Sequence, residues 1–388
     1  MQSMNLATIL EPLTVETFFS QYWEKQAIAI QNKTSPKFQE WFTWTQFNHL
    51  LNFHRLRYPD DIRFNRDGET LPPVNPKEWR KQLQEGATLI LNHVHELDPK
   101  IAALAAVLRY ELGHPVQVNL YCTPDLEQGF DCHYDTHDVI ILQVDGEKEW
   151  FVLRETIPFP SSYSRSATDL PPDEPPYLKT ILKPGDVLYI PRGHWHYAVP
   201  CGDRPSLHLT LGMSCQTGLD WLQWLERQLR DRPQWRQNLP VWENGNTAAL
   251  EKRLQALGQA LAQELTHETW VKKYAQAWFA DEVEIAPFAL PQQLGLDIFA
   301  EGLETCLQRS PTQHLRLEMT SDHSIRVKIG AKQLDFRSDA IDVLKWIFER
   351  DRFSLLELAE IAPDLDWDSA IAPLLTQLVT EGVLTVVS

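Results

Sequence analysis

The first part of the chain alternates helical patterns with clusters of aromatic residues. Two segments, TVETFFSQYWEKQAIAI and WFTWTQFNHLLNF, each place a threonine ahead of an apolar run. A threonine hydroxyl at that position accepts a hydrogen bond from a free backbone N–H of the first helical turn. The pattern predicts helices that cover a domain lying further along the chain.

From Val116 the pattern changes to short runs of valine, isoleucine, tyrosine and leucine separated by turn residues. The runs are VQVNLYC, DVIILQVDGEKEWFVL, TILKPGDVLYIP and SLHLTLGMS. β-branched and aromatic side chains at this spacing are typical of strands. The segment predicts an antiparallel barrel or sandwich.

Three breaks between these runs have a defined chemistry. Asp145-Gly146 favours a two-residue hairpin turn, and Lys183-Pro184-Gly185-Asp186 predicts a second turn enforced by proline and glycine. The stretch PFPSSYSRSATDLPPDEPPY is rich in proline and serine and has strands on both sides. It is therefore expected to be a loop inserted in the barrel.

After Cys215 the period becomes helical. One predicted helix face carries leucines at regular spacing, which would form either an intramolecular core or a dimer interface. These leucines are Leu250, Leu254, Leu257, Leu261 and Leu265. The tail from about Pro311 predicts a strand pair (HLRLEMT and SIRVKIG), two or three helices and a final strand (GVLTVV), an order similar to a winged-helix module.

Length and composition limit the class of protein. The 388 residues are enough for two or three domains, and 43% hydrophobic residues allow well-filled cores. The N-terminal residues lack the basic start and apolar block of a signal peptide, and no apolar stretch is long enough to cross a bilayer. We therefore expect a cytoplasmic protein without membrane association. The five cysteines contain no CxxC pair, so they are expected to be reduced thiols.

The formal net charge of −17 bears on the partners. Phosphate backbones are bound by clustered lysines and arginines, so the charge disfavours nucleic acid and is compatible with a basic protein partner. Residues 351–388 contain seven acidic side chains and one basic side chain, Arg352. Direct DNA binding by the tail is therefore not expected.

One short segment places metal-binding groups together. His133 and Asp135 are two residues apart, and on an extended chain such residues point to the same side, about 6 to 7 Å apart. A second histidine from a distant strand would complete a set of two imidazoles and one carboxylate. That set leaves one face of an iron(II) ion open for a cosubstrate and dioxygen. By spacing alone, His137, His194 and His196 all remain candidates for the third ligand.

The stretches NLYCTPDLEQGFDCHYDTHDVIILQVDGEKEWFVL, LKPGDVLYIPRGHWHYAV and SLHLTLG resemble the JmjC-type ribosomal oxygenases of the cupin superfamily, as does the N-terminal FFSQYWEKQAIAI. The resemblance covers roughly residues 12–215. It implies an α+β protein with a double-stranded β-helix, or jelly-roll, core. It also implies three parts: a JmjC/cupin catalytic domain with N-terminal covering helices (1–215), a helical dimerisation region (216–300) and a winged-helix-like C-terminal domain (301–388).

The resemblance also implies the site residues. In that family the last histidine of PxGxxH is the metal ligand, which selects His196 to join His133 and Asp135. Lys148 matches the basic residue that binds the far carboxylate of 2-oxoglutarate. That role requires the chain to bend between Thr136 and Asp138, because on a straight strand Lys148 would lie far from His133. The remaining matches around the cosubstrate are Asn119 and Tyr121 on one strand, with His208 and Thr210 on another.

The implied activity is iron(II)- and 2-oxoglutarate-dependent hydroxylation. The leading substrate is a histidine or arginine side chain of a ribosomal or other basic protein. Related cupins act on other peptides, small molecules or a tRNA base. Two further alternatives are a cupin that uses another metal for isomerisation or ring cleavage, and a scaffold that binds partners without catalysis. Asp135 and Lys148 favour the oxygenase.

Overall fold

A computed structural model of the chain describes residues 4–32, 37–39, 41–124, 129–161, 163–164, 166–241, 247–266, 268–280, 288–310, 312–313, 315–321, 324–329, 332–337 and 341–387. Its α-helices are α1 (Leu6–Leu10), α2 (Val15–Gln21), α3 (Trp44–Phe53), α4 (Trp79–Gln84), α5 (Pro99–Leu112), α6 (Gly218–Leu229), α7 (Pro233–Arg236), α8 (Ala248–Leu265), α9 (Glu268–Ala280), α10 (Ile341–Phe348), α11 (Leu355–Ile361) and α12 (Ala372–Thr380).

The strands are β1 (Ile28–Ile30), β2 (Ile62–Arg66), β3 (Glu69–Thr70), β4 (Thr88–Leu91), β5 (Val116–Thr123), β6 (Asp138–Asp145), β7 (Glu147–Glu155), β8 (Leu178–Leu182), β9 (Val187–Ile190), β10 (His194–Cys201), β11 (Ser206–Met213), β12 (Cys306–Arg309), β13 (Leu315–Ser321), β14 (Ser324–Ile329), β15 (Lys332–Arg337), β16 (Arg352–Ser354) and β17 (Leu384–Val387).

The predicted N-terminal helices are present, and their caps are threonines. The Thr14 hydroxyl accepts from Thr17 N, and Thr43 forms a reciprocal capping box with Gln46. The helix predicted over TVETFFSQYWEKQAIAI ends earlier, at Gln21. The AIAI segment leaves the helix and supplies β1, because alternating isoleucines fit a strand and pair with β9.

Two antiparallel sheets form the centre of the structure. The larger has the order β1-β9-β6-β11-β5-β4-β2-β3, and the smaller has the order β10-β7-β8. Val139 and Ile141 of the larger sheet pack in one buried cluster with Trp150 and Val152 of the smaller sheet. The predicted barrel is therefore confirmed as a double-stranded β-helix, the jelly-roll arrangement of cupins.

Alternation along the central strands separates two environments. On β5, β6 and β11 one set of apolar side chains packs with the N-terminal helices in the main core. The other set, which includes Tyr121, Ile141, His208 and Thr210, lines the space between the two sheets. Because side chains of a strand alternate between faces, each of these strands supports the core and builds the site at once.

The hairpin predicted at Asp145-Gly146 is wrong. β6 pairs with β9 and β11, whereas β7 pairs with β8 and β10, so the two strands lie in different sheets. Gly146 has φ +65, and a Cβ there would lie 2.2 Å from the carbonyl oxygen of Pro205. The glycine therefore makes a tight corner at which the chain crosses from the large sheet to the small one.

The other two predicted interruptions between strands, a turn and a loop, are present in the structure. Lys183 to Asp186 forms a turn in which Asp186 N donates to Lys183 O and Lys183 N donates to Asp186 Oδ2, at 2.9 Å each. The segment between β7 and β8 is a loop with one short 3-10 helix, Ser166–Thr168; Ser162 and Arg165 of this loop lie outside the described residues.

By their contacts the residues fall into two compact units. One consists of Met1–Cys215, Ile285–His314 and Asp342–Ser388, and the other of Gln216–Glu284 and Leu315–Ile341. The first unit holds the β-helix and a second sheet, β16-β12-β17, with α11 and α12 alongside. The second unit holds α6 to α9 and the sheet β13-β14-β15.

The predicted strand pair of the tail is β13 and β14, although its ends at His314 and Gly330 lie outside the described residues. The pattern missed the third strand of that sheet, β15, and the short strands β12 and β16. The described cysteines, which include all five, are free thiols. Among the described residues no helix has the length and hydropathy needed to span a membrane.

Candidate metal centre

The segment that carries His133 and Asp135 is held against β10 by backbone hydrogen bonds. His133 N donates to His196 O (3.1 Å), and His196 N donates to His133 O (2.7 Å). Gly193 N donates to Asp135 O at 2.9 Å. The sequence-distant histidines are therefore direct neighbours across an antiparallel bridge.

Three side chains converge at this bridge. One donor atom from each of His133, Asp135 and His196 lies within 4.8 Å of the other two. The His196 Nε2 to Asp135 Oδ2 distance is 3.7 Å, and the two imidazole centroids are 4.5 Å apart. Two imidazoles and one carboxylate at this separation form a donor set that fits an octahedral transition metal with one face left open.

Both imidazoles have their tautomer set by the backbone. His133 Nδ1 lies 2.7 Å from Asp131 O, and His196 Nδ1 lies 3.0 Å from His194 O. A carbonyl only accepts, so each Nδ1 carries the proton and each Nε2 keeps a free lone pair. This hydrogen bond to the second nitrogen is the usual support of a metal-binding histidine.

Electrostatics at the cluster keep the donors in their metal-binding forms. Burial, followed by the proximity of His133, lowers the pKa of His196 to about 4, so this imidazole is neutral at physiological pH. Burial by itself would raise the pKa of Asp135, but His137, His196 and His133 together hold it below the usual value. A neutral imidazole and an ionised carboxylate are what a cation requires.

Neither alternative third ligand belongs to the group of converging donor atoms. The His194 ring is engaged on both sides, with Nδ1 2.8 Å from the Tyr177 hydroxyl and Nε2 3.1 Å from Glu155 Oε2. His137 lies over Gly212, where a Cβ would come within 2.9 Å of its ring. Of the candidates that spacing left open, the structure brings His196 to the other two donors.

A cavity of about 220 Å³ lies between the sheets beside this cluster. Its wall combines the metal-binding cluster with aromatic, apolar and cationic side chains. Besides the cluster, it is lined by Arg63, Tyr121, Gly129, Phe130, Val139, Ile141, Lys148, Trp150, Tyr197, Ala198, His208 and Thr210. A small molecule with polar ends fits such a lining.

Lys148 lies in the cavity wall, and the chain bends where its predicted role as the 2-oxoglutarate anchor requires a bend. The chain bends at Thr136 and His137, runs along β6 in the large sheet and returns on β7 in the small one. There Lys148 pairs with Pro200, four residues along β10 from His196, or about 13 Å of strand. The predicted bend is confirmed, and the lysine and the cluster lie along the same sheet.

The ammonium of Lys148 is buried without a carboxylate. The residue is 5% exposed, its Nζ donates to Thr123 Oγ1 at 3.2 Å, and no described acidic side chain forms an ion pair with it. Burial lowers its pKa to about 8. A buried cation whose only hydrogen-bond partner is neutral favours the binding of an anion beside it.

The other residues predicted around the cosubstrate take two different positions. Tyr121 and His208 pair across β5 and β11, with ring centroids 4.9 Å apart and planes within 4°. They line the cavity, as does Thr210. Asn119 is not part of the cavity lining, and its Oδ1 accepts from His93 N at 3.0 Å. His208 Nδ1 is buried and has no partner among the described residues.

Sequence reasoning missed Arg63, Phe130 and Trp150 in this lining. Arg63 comes from β2, outside the strands that carry the motifs, and no spacing rule connects it to His133. Trp150 follows Lys148 by two residues on β7, so strand alternation could have placed it on the same face. Phe130 precedes the HxD segment and packs near both Tyr121 and His133.

A double-stranded β-helix that holds two imidazoles and one carboxylate is the arrangement that the resemblance to JmjC-type oxygenases implies. Comparison with known families agrees, since residues 91–220, a third of the chain, match the JmjC domain family. Residues 91–220 are therefore similar to a JmjC domain, which confirms the resemblance noted in the sequence.

Among curated proteins, the chain is 32% identical over 219 residues to a Drosophila persimilis protein named bifunctional lysine-specific demethylase and histidyl-hydroxylase NO66, covering 53% of this chain and 31% of that one. It is 32% identical over 215 residues to ribosomal oxygenase 1 of Rattus norvegicus, covering 52% and 36%. The chain thus spans about a third of the length of these relatives.

Among solved structures, the fold matches the Escherichia coli ribosomal oxygenase YcfD in complex with cobalt and 2-oxoglutarate. The TM-score is 0.60 at 18% identity, and the match covers 97% of this chain and 99% of that one. The cobalt and succinic acid complex of YcfD gives a TM-score of 0.61 at 19% identity. At this identity the likeness establishes the common fold over nearly the whole chain.

Proposed function

We propose that this protein is an iron(II)- and 2-oxoglutarate-dependent oxygenase whose iron is held by His133, Asp135 and His196. The observation that carries the proposal is the pairing of two features in one cavity, a cluster of two imidazoles and one carboxylate and a buried ammonium without an acidic partner. YcfD, which shares the fold, has been solved with cobalt and 2-oxoglutarate.

The residues present fit both groups. The three donors have free lone pairs on one side of the cavity, and Lys148 offers a charge-assisted hydrogen bond to the far carboxylate of 2-oxoglutarate. Together, iron and 2-oxoglutarate supply the activation of dioxygen that inserts an oxygen atom into a substrate C–H bond. The protein's part is to fix the donors, bind the dicarboxylate and keep water out with Trp150, Phe130 and Ile141.

We infer that Tyr121, His208 and Thr210 complete the cosubstrate end of the cavity. Tyr121 and His208 stack with nearly parallel rings. Burial, and after it the charge of Lys148, holds the pKa of His208 well below its usual value. His208 is thereby neutral, and it adds no positive charge that would compete with Lys148 for the carboxylate.

The substrate we propose is a histidine or arginine side chain of a ribosomal or other basic protein. Two findings support it: relatives named histidyl-hydroxylase and ribosomal oxygenase, and a net charge of −17 that favours a basic partner. The test is incubation with iron(II), 2-oxoglutarate, isotope-labelled dioxygen and an extract of ribosomal proteins. Mass spectrometry should find one labelled oxygen atom on a histidine or arginine, and unlabelled proteins would contradict the substrate class.

Features outside the cavity bear on the oligomeric state and on the role of the tail. Exposed apolar residues on the helices of the second unit, including Leu219, Leu222 and Leu254, support a homodimer formed through the predicted dimerisation region. The acidic tail supports a C-terminal domain without direct DNA contacts. The winged-helix-like tail, the domain division at 215 and 300, and a cytoplasmic location stay predictions.

A further inference from the structure

Two aromatic residues are neighbours of the metal-binding donors in the sequence but lie outside the cavity. Tyr134 stands between His133 and Asp135. Trp195 directly precedes His196. Neighbouring residues of an extended chain project to opposite faces, and neither aromatic side chain lines the cavity. The two rings are buried and pack edge to face, with centroids 5.0 Å apart. They therefore form the back of the metal centre.

The loop between β7 and β8 forms hydrogen bonds to both aromatic residues. We call residues 156–177 the inserted loop. Trp195 Nε1 donates to the Oγ1 of Thr156, the first residue of this loop, at 2.9 Å. The Tyr134 hydroxyl donates to Asp169 Oδ2 at 2.5 Å. The inserted loop is thus bonded at two points to the side chains behind the metal-binding donors.

A third contact joins the inserted loop to the backbone of a metal-binding residue. Gly193 has φ +85, and a Cβ there would lie 2.7 Å from Pro160 Cδ and 3.0 Å from the carbonyl oxygen of Ile157. The same glycine donates its N–H to Asp135 O at 2.9 Å. Because a larger residue at this position would meet the loop, the glycine permits the loop to pack against the backbone that holds Asp135.

The hydrogen bond between Tyr134 and Asp169 is the strongest of these three contacts. A hydroxyl that donates to a carboxylate forms a charge-assisted hydrogen bond, which is shorter than a neutral one and about twice as strong. The contacts of Trp195 and Gly193 involve neutral groups. Any movement of the Tyr134 side chain is passed through the backbone to its two neighbours, which both carry metal-binding groups. The position of the loop and the position of two donors are therefore connected.

We propose that Asp169 is a positioning residue for the metal centre. Through Tyr134 it ties the inserted loop to the segment that carries two of the three donors, so that docking of the loop and binding of the metal strengthen each other. This inference rests on the proposed function, because it requires a metal at the three donors. By thermodynamic linkage, a loop contact that raises the affinity for the metal is strengthened by the same factor when the metal binds.

The first test is a double-mutant cycle on Co(II) affinity, measured by calorimetric titration without 2-oxoglutarate. Tyr134→Phe and Asp169→Ala each remove the hydrogen bond, and each should weaken Co(II) binding about fivefold. The double variant should be no weaker than either single variant, because both substitutions remove the same contact. Asp169→Asn keeps an acceptor oxygen for the Tyr134 hydroxyl and should restore most of the affinity.

The visible absorption spectrum of bound Co(II) separates positioning from a purely structural role. This spectrum depends on the number and arrangement of the metal's ligands. At saturating Co(II) it should change in Tyr134→Phe and in Asp169→Ala, and it should return toward the wild-type spectrum in Asp169→Asn. A contact that only stabilised the fold would lower the melting temperature of the metal-free variants and leave both the spectrum and the Co(II) affinity unchanged.

The matched control is Asp173→Ala, which removes an exposed carboxylate from the same loop. It should keep the wild-type Co(II) affinity and spectrum. Hydrogen exchange then measures the linkage from the side of the loop. Co(II) should slow the exchange of amide hydrogens in the inserted loop of the wild type and of Asp173→Ala, and it should do so less in Asp169→Ala.

Three outcomes would overturn the inference: wild-type Co(II) affinity in both Tyr134→Phe and Asp169→Ala, losses that multiply in the double variant, or an equal loss in Asp173→Ala. Multiplied losses would mean that the two residues act on the metal centre independently. The proposed function fails in a different way, since a wild-type protein that does not bind Co(II) would refute the metal centre and, with it, the basis of the inference.

Discussion

His133 and His196 exchange both of their backbone hydrogen bonds across an isolated antiparallel bridge, although 63 positions separate them in the chain. This pairing brings their side chains to one place through backbone contacts. The position of two of the three donors is therefore fixed by the pairing of the chain segments that carry them.

Replacing His196 with alanine should weaken metal binding strongly. We expect Mn(II) affinity to fall about 100-fold or more, because one of three donors is lost. His194→Ala is the matched control two residues away, and it should keep the wild-type affinity because its ring faces Tyr177 and Glu155. Calorimetric titration with Mn(II) measures both, and a loss of affinity in His194→Ala with retention in His196→Ala would reverse the ligand assignment.

Metal binding should also stabilise the folded protein. At a hundredfold excess of Mn(II) over its dissociation constant, the gain in free energy of unfolding should be about 2.7 kcal/mol. The melting temperature should rise in the wild type and in His194→Ala, and chelation should reverse the rise. The same shift in His196→Ala would show that the ion binds somewhere else.

Replacing Lys148 with methionine should weaken 2-oxoglutarate binding and stabilise the folded protein. The affinity for 2-oxoglutarate should fall about 100-fold, since a charge-assisted hydrogen bond is lost. The free energy of unfolding without ligand should rise by on the order of 3 kcal/mol at neutral pH, because the buried ammonium is removed. Lys179→Met is the control, because Lys179 is exposed on the neighbouring strand and pairs with Glu149.

The stability gain in Lys148→Met has a definite pH dependence. Burial lowers the pKa of Lys148 from 10.5 to about 8 in the folded protein, so the charged form destabilises the fold fully below pH 8. The difference between variant and wild type should shrink as the pH rises from about 8 toward 10.5, where the lysine is neutral when folded. A gain that grew over this range would contradict the burial argument.

The same pKa predicts how 2-oxoglutarate binding depends on pH. Above pH 8 the free protein holds Lys148 neutral, so the wild-type affinity should fall by about tenfold per pH unit, and it should be nearly constant just below pH 8. The Lys148→Met variant should lack this dependence. Calorimetric titrations across this range would settle the point, and a wild-type affinity that is flat above pH 8 would indicate another anchor for the carboxylate.

Two glycine substitutions should have opposite effects on stability. Gly146→Ala forces a Cβ into the carbonyl of Pro205 at a positive φ, and it should destabilise the β-helix by more than about 1 kcal/mol. Gly258→Ala meets no atom within 4 Å inside α8, and it should stabilise that helix by about 0.5 to 1 kcal/mol. Denaturant unfolding of both variants measures the difference, and equal effects would refute the corner role of Gly146.

Local chemistry explains which parts of the fold could be predicted from the sequence. The threonine caps, the turn at Lys183 to Asp186 and the strand alternation that places Tyr121 and His208 on one face all follow from short-range rules. The Asp145-Gly146 corner could not be assigned, because a glycine with positive φ fits both a hairpin and a crossing between sheets. The close approach of Pro205, which is 59 positions further along the chain from Gly146, decides between them.

The site residues likewise divide into those that short-range spacing indicates and those that depend on pairing between distant segments. Spacing indicated His133 and Asp135, but it could not separate His137, His194 and His196, because the choice depends on which rings Gly212, Tyr177 and Glu155 engage. Resemblance to a family selected His196. Arg63 escaped both routes, since it reaches the cavity only through the pairing of β2 with β4 and of β4 with β5.

The proposed function requires that the His133, Asp135 and His196 cluster support iron-dependent turnover of 2-oxoglutarate. The most direct measurement is succinate formed from 2-oxoglutarate by the protein with iron(II), dioxygen and ribosomal protein extract, compared among wild type, His194→Ala and His196→Ala. We expect succinate with the wild type and with His194→Ala, and none with His196→Ala. No succinate from iron-loaded wild type, or equal amounts from all three proteins, would contradict it.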